Sequence, residues 1–175
     1  MSPDRENGVI HTPVLLKEVI SYLNVRPGGV YVDCTLGDGG YSYEILKLLG
    51  DGRLVSLDVD PVSMEFVKKT YPDEVDGRRW TIVYENFSKL SEVVRSRGIE
   101  SVDGVVFDLG MSSRQIDADP LARGFTYLKR EGLDMRMDPR LGVTAEALLR
   151  ALNERQIYEM FQTYGDARFS KRIAK

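Results

Sequence analysis

The chain has 175 residues, 42% apolar and 29% charged, an ordinary composition for a globular protein with one sizeable core, organised as one domain or one plus a small insertion. With 24 basic and 27 acidic side chains the formal charge is -3, so no global positive field marks a nucleic-acid binder, and any such contact must come from a local patch. A single cysteine, Cys34, and a single histidine, His11, exclude an internal disulfide framework and a zinc site built from Cys and His.

The first residues lack the basic start and apolar core of a signal peptide, and no run approaches the roughly 18 apolar residues that span a bilayer. A cytoplasmic protein without membrane contact is expected. His11-Thr12-Pro13 leads into Val14, Leu15, Leu16, Val19, Ile20 and Leu23, spaced as one helical face with Thr12 placed to cap. Val30-Tyr31-Val32 then reads as a strand ending at Asp33, followed by the glycine loop Gly37-Asp38-Gly39-Gly40 and a helix through Leu49. Arg53 to Leu57 is a second strand, ending in Asp58-Val59-Asp60-Pro61 and a helix to about Tyr71.

Trp80 to Tyr84 alternates as a third strand, and Ser88 opens a helix that Gly98 closes. Val102 to Phe107 is a fourth strand, meeting Asp108. Strands alternating with helices at this spacing predict an α/β fold with a parallel, right-handedly wound sheet, whose sites lie at the strands' carboxyl ends. Residues 110–142 lose period and read as a long loop. Two short helices follow, Thr144 to Leu152 and Asn153 to Tyr164, the second with Asn153 and Gln156 as a capping-box variant, and then a helix in progress from Arg168.

The glycine loop frees backbone N–H groups to approach a nucleotide-like ligand at a helix N-terminus. A dinucleotide fingerprint wants a third Gly or Ala where this chain has Ser42, which weakens a nicotinamide reading. An S-adenosylmethionine site wants an acidic residue at the end of the first strand to orient the methionine amine, and Asp33 stands there. Asp58 could bind ribose hydroxyls of either cofactor. Phe87 is open between stacking on adenine and a hydrophobic staple. After the fourth strand, Asp108 and the serines of Met111-Ser112-Ser113 are suitable acceptors for the N–H protons of an exocyclic amine, or simple turn chemistry. Phe125 and Tyr127 with nearby basic residues could grip single-stranded RNA, against the plainer reading of a loop pinned by Met135, Met137 and a local Asp–Arg pair.

Together these residues resemble the bacterial small-subunit ribosomal RNA cytosine-N4 methyltransferases, the RsmH/MraW family. The match runs through His11-Thr12-Pro13-Val14-Leu15-Leu16, Val32-Asp33-Cys34-Thr35-Leu36-Gly37-Asp38-Gly39-Gly40, Asp58-Val59-Asp60-Pro61 and Asp108-Leu109-Gly110-Met111-Ser112-Ser113-Arg114-Gln115. It continues through Arg123-Gly124-Phe125-Thr126 and the highly specific Leu133-Asp134-Met135-Arg136-Met137-Asp138. The resemblance implies a Rossmann-like sheet and S-adenosylmethionine-dependent methylation of N4 of a cytidine in the decoding region of 16S rRNA, within the small ribosomal subunit or its precursor.

Its cofactor contacts carry over to Gly39, Gly40, Tyr41, Asp58, Phe87, Asp108 and Gln115, and Gly37 of the same loop is expected to bind the cofactor with them; Asp108 and Ser113 are expected to act catalytically by contacting the amine, with no metal required. Residues 1–140 would form the methyltransferase core with its catalytic loop, and 141–175 the start of a helical insertion. Tyr41 stands where many members have His, Arg114 where many have Pro, and Glu131-Gly132 where Gly-Pro is usual. Family members continue beyond this length with further strands. The alternative is therefore a non-catalytic shortened paralogue or fragment that binds cofactor or ribosome without turnover, and the uncovered sheet edge leaves room for a homodimer.

Overall fold

The computed structural model describes residues 13–75, 78–165 and 168–175. They pack as two compact units, Met1–Ala118 and Asp119–Lys175.

In the first unit, β1 (Val30–Asp33), β2 (Arg53–Asp58), β3 (Trp80–Tyr84) and β4 (Gly104–Val106) form one parallel sheet in the order β3-β2-β1-β4. Each strand is a short run rich in apolar and β-branched residues, as a sheet buried on both faces requires. The pleat sends Tyr31, Leu54 and Trp80 into one cluster with Ile45, Leu49 and Val67, and sends Val32, Val55 and Leu57 into another with Val93 and Ile99. The first cluster is closed by α1 (Leu16–Leu23), α2 (Gly40–Leu48) and α3 (Pro61–Thr70), the second by α4 (Leu90–Arg95). Leu57 is fully buried, so truncating it to Ala costs about 2–5 kcal/mol.

The chain winds outward from β1 to β3 and then returns to lay β4 on the other side of β1. That reversal opens a crevice at the carboxyl ends of β1 and β4, where ligands of doubly wound sheets bind. This is the α/β, Rossmann-like arrangement expected.

Boundaries differ where side chains intervene. The first helix starts at Leu16, preceded by Leu15 in a left-handed conformation (φ 52) with no side-chain cap; Thr12, the expected cap, and His11 lie outside the described residues. Before α4, a 3₁₀ turn spans Phe87–Lys89, because Asn86 rather than Ser88 supplies the cap, its Oδ1 accepting from Ser88 N at 2.8 Å. The fourth strand is shorter than 102–107: the Asp103 carboxylate takes the Val30 N–H at 2.7 Å, and Thr35 Oγ1 takes the Asp108 N–H at 2.7 Å. The stretch read as loop contains α5 (Ser113–Asp117), nucleated by a capping box between Ser112 and Gln115 that is too short to show a helical period.

The second unit holds α6 (Ala145–Ala151), α7 (Glu154–Tyr164) and α8 (Ser170–Ile173), with the expected Asn153–Gln156 capping box on α7. Residues 119–141 are irregular, and Arg123 organises them. Its guanidinium is buried, pairs with Asp119 at 2.9 Å and donates to the carbonyls of Arg136 and Met137 at 3.3 Å. Of the expected pins, Met135 is 47% exposed at a positive φ of 57, whereas a local Asp–Arg pair, Asp119 with Arg123, is present and buried. Amides Ala145 and Glu146 donate to the Asp134 and Leu133 carbonyls at 2.9 and 2.8 Å, which joins this segment to α6. Among the described residues, no helix is long and apolar enough to cross a membrane.

Candidate functional site

At the end of β1 the chain turns sharply into α2, and glycine makes the turn feasible. Gly37 and Gly39 have φ of +51 and +82, the left-handed region that side chains rarely adopt. A Cβ on Gly39 would also lie 3.0 Å from Val67 Cγ2 and 3.3 Å from Tyr71. The loop is held from below by Asp33, whose Oδ1 accepts from Thr35 N at 3.1 Å and whose Oδ2 accepts from Ser42 Oγ at 2.7 Å. Asp33 has no exposed surface, so it shapes the loop and does not itself line the crevice as a partner for a methionine amine.

The end of β2 supplies the neighbouring wall. Asp58 Oδ2 accepts the Gly37 N–H and Oδ1 the Asp60 N–H, both at 2.8 Å. Asp60 caps α3, its Oδ1 accepting from Val62 N at 3.0 Å, while its Oδ2 accepts from Gln115 Nε2 at 2.7 Å. Gln115 is itself buried, and its Oε1 accepts the Ser112 N–H at 2.9 Å. A single hydrogen-bonded route therefore runs from the glycine loop through Asp58 and the α3 cap to α5.

Aromatic surface completes the mouth. Phe87, 40% exposed just past β3, meets Phe107 edge-on with centroids 5.6 Å apart. The side chain of Tyr41 is buried, with its hydroxyl donating to the Val14 carbonyl. Asp108 is exposed at the end of β4, and Ser113 opens α5 on the far side of the turn 109–112.

Burial dominates the electrostatics. It pushes the Asp33 carboxyl up to about 6 against the lowering effect of the Ser42 and Thr35 bonds. Asp58 is raised by the same cause, partly offset by the Asp60 and Gly37 amides. Tyr41 is raised by burial and by Asp108, and Cys34 is pushed up to about 12 by burial, which makes it a poor nucleophile.

The model of the MraW methylase family matches residues 8–175. The chain belongs to the MraW methylase family. Ribosomal RNA small subunit methyltransferase H of Lactiplantibacillus plantarum is 43% identical over 166 residues, 94% of this chain and 51% of that relative. Ribosomal RNA small subunit methyltransferase H 2 of Agathobacter rectalis is 44% identical over 167 residues, 94% of this chain and 52% of its own length. The chain thus spans about half the length of the curated relatives it matches. A solved rRNA methylase from Streptococcus thermophilus is similar over 57% of this chain and 57% of its own, with 18% identity and a TM-score of 0.47.

In this member of the MraW methylase family the residues singled out from sequence fall on the carboxyl ends of β1, β2, β3 and β4 and on the first turn of α5. Gly37 and Asp58 are bonded directly, and Gln115 reaches them through Asp60. Phe87 rests on Phe107, which lies just past the end of β4 and not inside the strand. Missed were Asp60, Ser42, Ser56 and the Asp38–Arg114 pair. Asp60 had a readable signal, an Asp followed by Pro at the first helical position, and Ser112 with Gln115 had the same capping-box spacing as Asn153 with Gln156.

Proposed function

We propose that this chain forms the cofactor-binding core of a cytoplasmic methyltransferase that acts on N4 of a cytidine in the decoding region of 16S rRNA, in the small ribosomal subunit or its precursor. The observation that carries the reading is the bonded assembly of Gly37, Asp58, Asp60 and Gln115 around the β1–β4 crevice in a chain of the MraW methylase family.

These residues fit S-adenosylmethionine. At Gly39 the missing Cβ makes room for Val67 and Tyr71 and the positive φ turns the loop into α2, whose first amides, from Gly40 and Tyr41, have no partner within the helix. Gly37, Gly39, Gly40 and the backbone of Tyr41 would hold the methionine end, Asp58 the ribose hydroxyls and Phe87 the adenine face. Gln115 would border the same cleft with its second amide proton, the first being committed to Asp60. When bound, S-adenosylmethionine supplies an electrophilic methyl group on a sulfonium, which is already a good leaving group.

The lone pair of an exocyclic amine is delocalised into the ring, so the protein's task is to hold that nitrogen in line and accept from its N–H groups. Asp108 and Ser113 are the acceptors proposed for this. Asp108 is exposed, with its backbone fixed by Thr35, so its carboxylate is available without a large desolvation cost. Residues 110–140 would form the catalytic and RNA-facing loop. Methyl incorporation into undermethylated small subunits tests the reading: the wild type should label them and Asp108→Ala should not, and full activity of that variant contradicts the assignment of Asp108.

A further inference from the structure

The helix α5 has five residues, too few to hold its position by its own hydrogen bonds. Two adjacent side chains of its first turn fix it to different loops. Gln115 reaches Asp60, as described. Arg114 reaches the glycine loop: its Nε and Nη2 donate to Asp38 Oδ1 and Oδ2 at 2.9 and 3.3 Å. The guanidinium carbon also lies 3.4 Å from the ring centroid of Phe66 on α3, so one side chain joins three elements. The Arg114 and Asp38 side chains are only 22% and 10% exposed, which shelters the pair from solvent screening.

Asp38 stands between Gly37 and Gly39, both at positive φ. A segment flanked by glycines has many accessible backbone conformations, and ordering it upon ligand binding weakens affinity. We infer that Asp38 and Arg114 form a clasp that orders the glycine loop against α5 before the cofactor arrives and thereby sets cofactor affinity. Both are positioning residues. Arg114 carries no acceptor for an amine proton, so it takes no direct part in the transfer step. The planar fork both chelates Asp38 and stacks on Phe66, which a lysine ammonium cannot do.

The inference rests on the reading that the cleft takes S-adenosylmethionine, and the experiment separates the two. S-adenosylmethionine and S-adenosylhomocysteine are titrated calorimetrically into the 175-residue chain and into Arg114→Ala, Arg114→Lys, Asp38→Asn and the Asp38→Asn/Arg114→Ala double variant, below each protein's thermal midpoint. Each single variant should bind about tenfold more weakly, the scale of one charge-assisted contact, and the double variant no more weakly than the singles. Arg114→Lys, the variant least disturbing to the fold, should fail to restore affinity. In methyl transfer, KM for the cofactor should rise by the same factor as the dissociation constant. Wild-type binding with unchanged affinity in the variants, or fully additive losses, overturns the clasp alone. No binding by the folded wild type overturns the function reading and the clasp together.

Discussion

Trp80 on β3 and Asp33 on β1 are joined across β2 by an unbroken chain of hydrogen bonds. The indole Nε1–H donates to Ser56 Oγ at 2.8 Å, Ser56 and Ser42 hydroxyls lie 2.7 Å apart, and Ser42 Oγ donates to Asp33 Oδ2 at 2.7 Å. All four side chains are fully buried. Ser42 has one proton and donates it to the Asp33 carboxyl, so the Ser56 hydroxyl must donate to Ser42 while it accepts from the indole. The direction of the chain is fixed, and it ends beneath the glycine loop.

Ser42→Ala should therefore lower stability by about 1–3 kcal/mol, because it leaves the Ser56 hydroxyl proton without an acceptor and one Asp33 oxygen without a donor. Urea unfolding followed by the fluorescence of Trp80, the sole tryptophan, measures this. An unchanged midpoint would show that the chain contributes nothing to the fold.

Asp33 also makes stability depend on pH. Its carboxyl titrates near 6 in the fold against 3.8 for the ordinary group, so between these values the native state holds a proton that the unfolded state has lost. The group's effect is absent below the lower value, grows as pH rises through the window and is a full destabilisation of about 3 kcal/mol above the upper one. The stability of the wild type relative to Asp33→Asn should accordingly fall by that amount from about pH 4 to about pH 7. A difference that does not vary with pH contradicts the burial of an ionisable Asp33.

Gly39→Ala meets two obstacles, a φ of +82 and a Cβ only 3.0 Å from Val67. The backbone strain alone costs about 1–2 kcal/mol. Gly98→Ala shares a positive φ of +66 but has open space around it and lies away from the crevice, so it isolates the strain. Both variants should be destabilised, and only Gly39→Ala should lose affinity for S-adenosylmethionine. Equal affinities would remove Gly39 from the cofactor site.

Arg123→Ala leaves Asp119 buried and unpaired, with side chains that were 5% and 2% exposed in the pair. The second unit should lose about 3–5 kcal/mol. Hydrogen exchange should show lost protection at the Met135, Ala145 and Glu146 amides while β1 and β2 keep theirs. Protection unchanged at those three amides would mean that Arg123 does not organise the segment.

Hydrophobic patterning was enough to read the sheet, since β1 and β2 are short, mostly apolar runs, with Ser56 the one polar residue inside β2, that end in carboxylates, and each following helix carries a clear stop. What escaped was written in single polar side chains. Asp103 and Thr35 trim β4 by taking backbone amides, and Asn86 displaces Ser88 as a cap; no hydrophobic pattern encodes either. The site was legible as strand ends plus a glycine loop. The Asp38–Arg114 link joins residues far apart in sequence, so only the folded chain reveals it. Asp33 shows the opposite case, its position read correctly and its exposure not, because a strand-end carboxylate can face the crevice or the core.

The β1–β4 crevice of this member of the MraW methylase family should bind S-adenosylmethionine on its own, which calorimetric titration of that ligand into the 175-residue chain, with NADH as control, measures. Saturable binding of S-adenosylmethionine at unit stoichiometry is expected, with no heat of binding from NADH. A folded chain that binds neither ligand, or binds NADH alone, contradicts it.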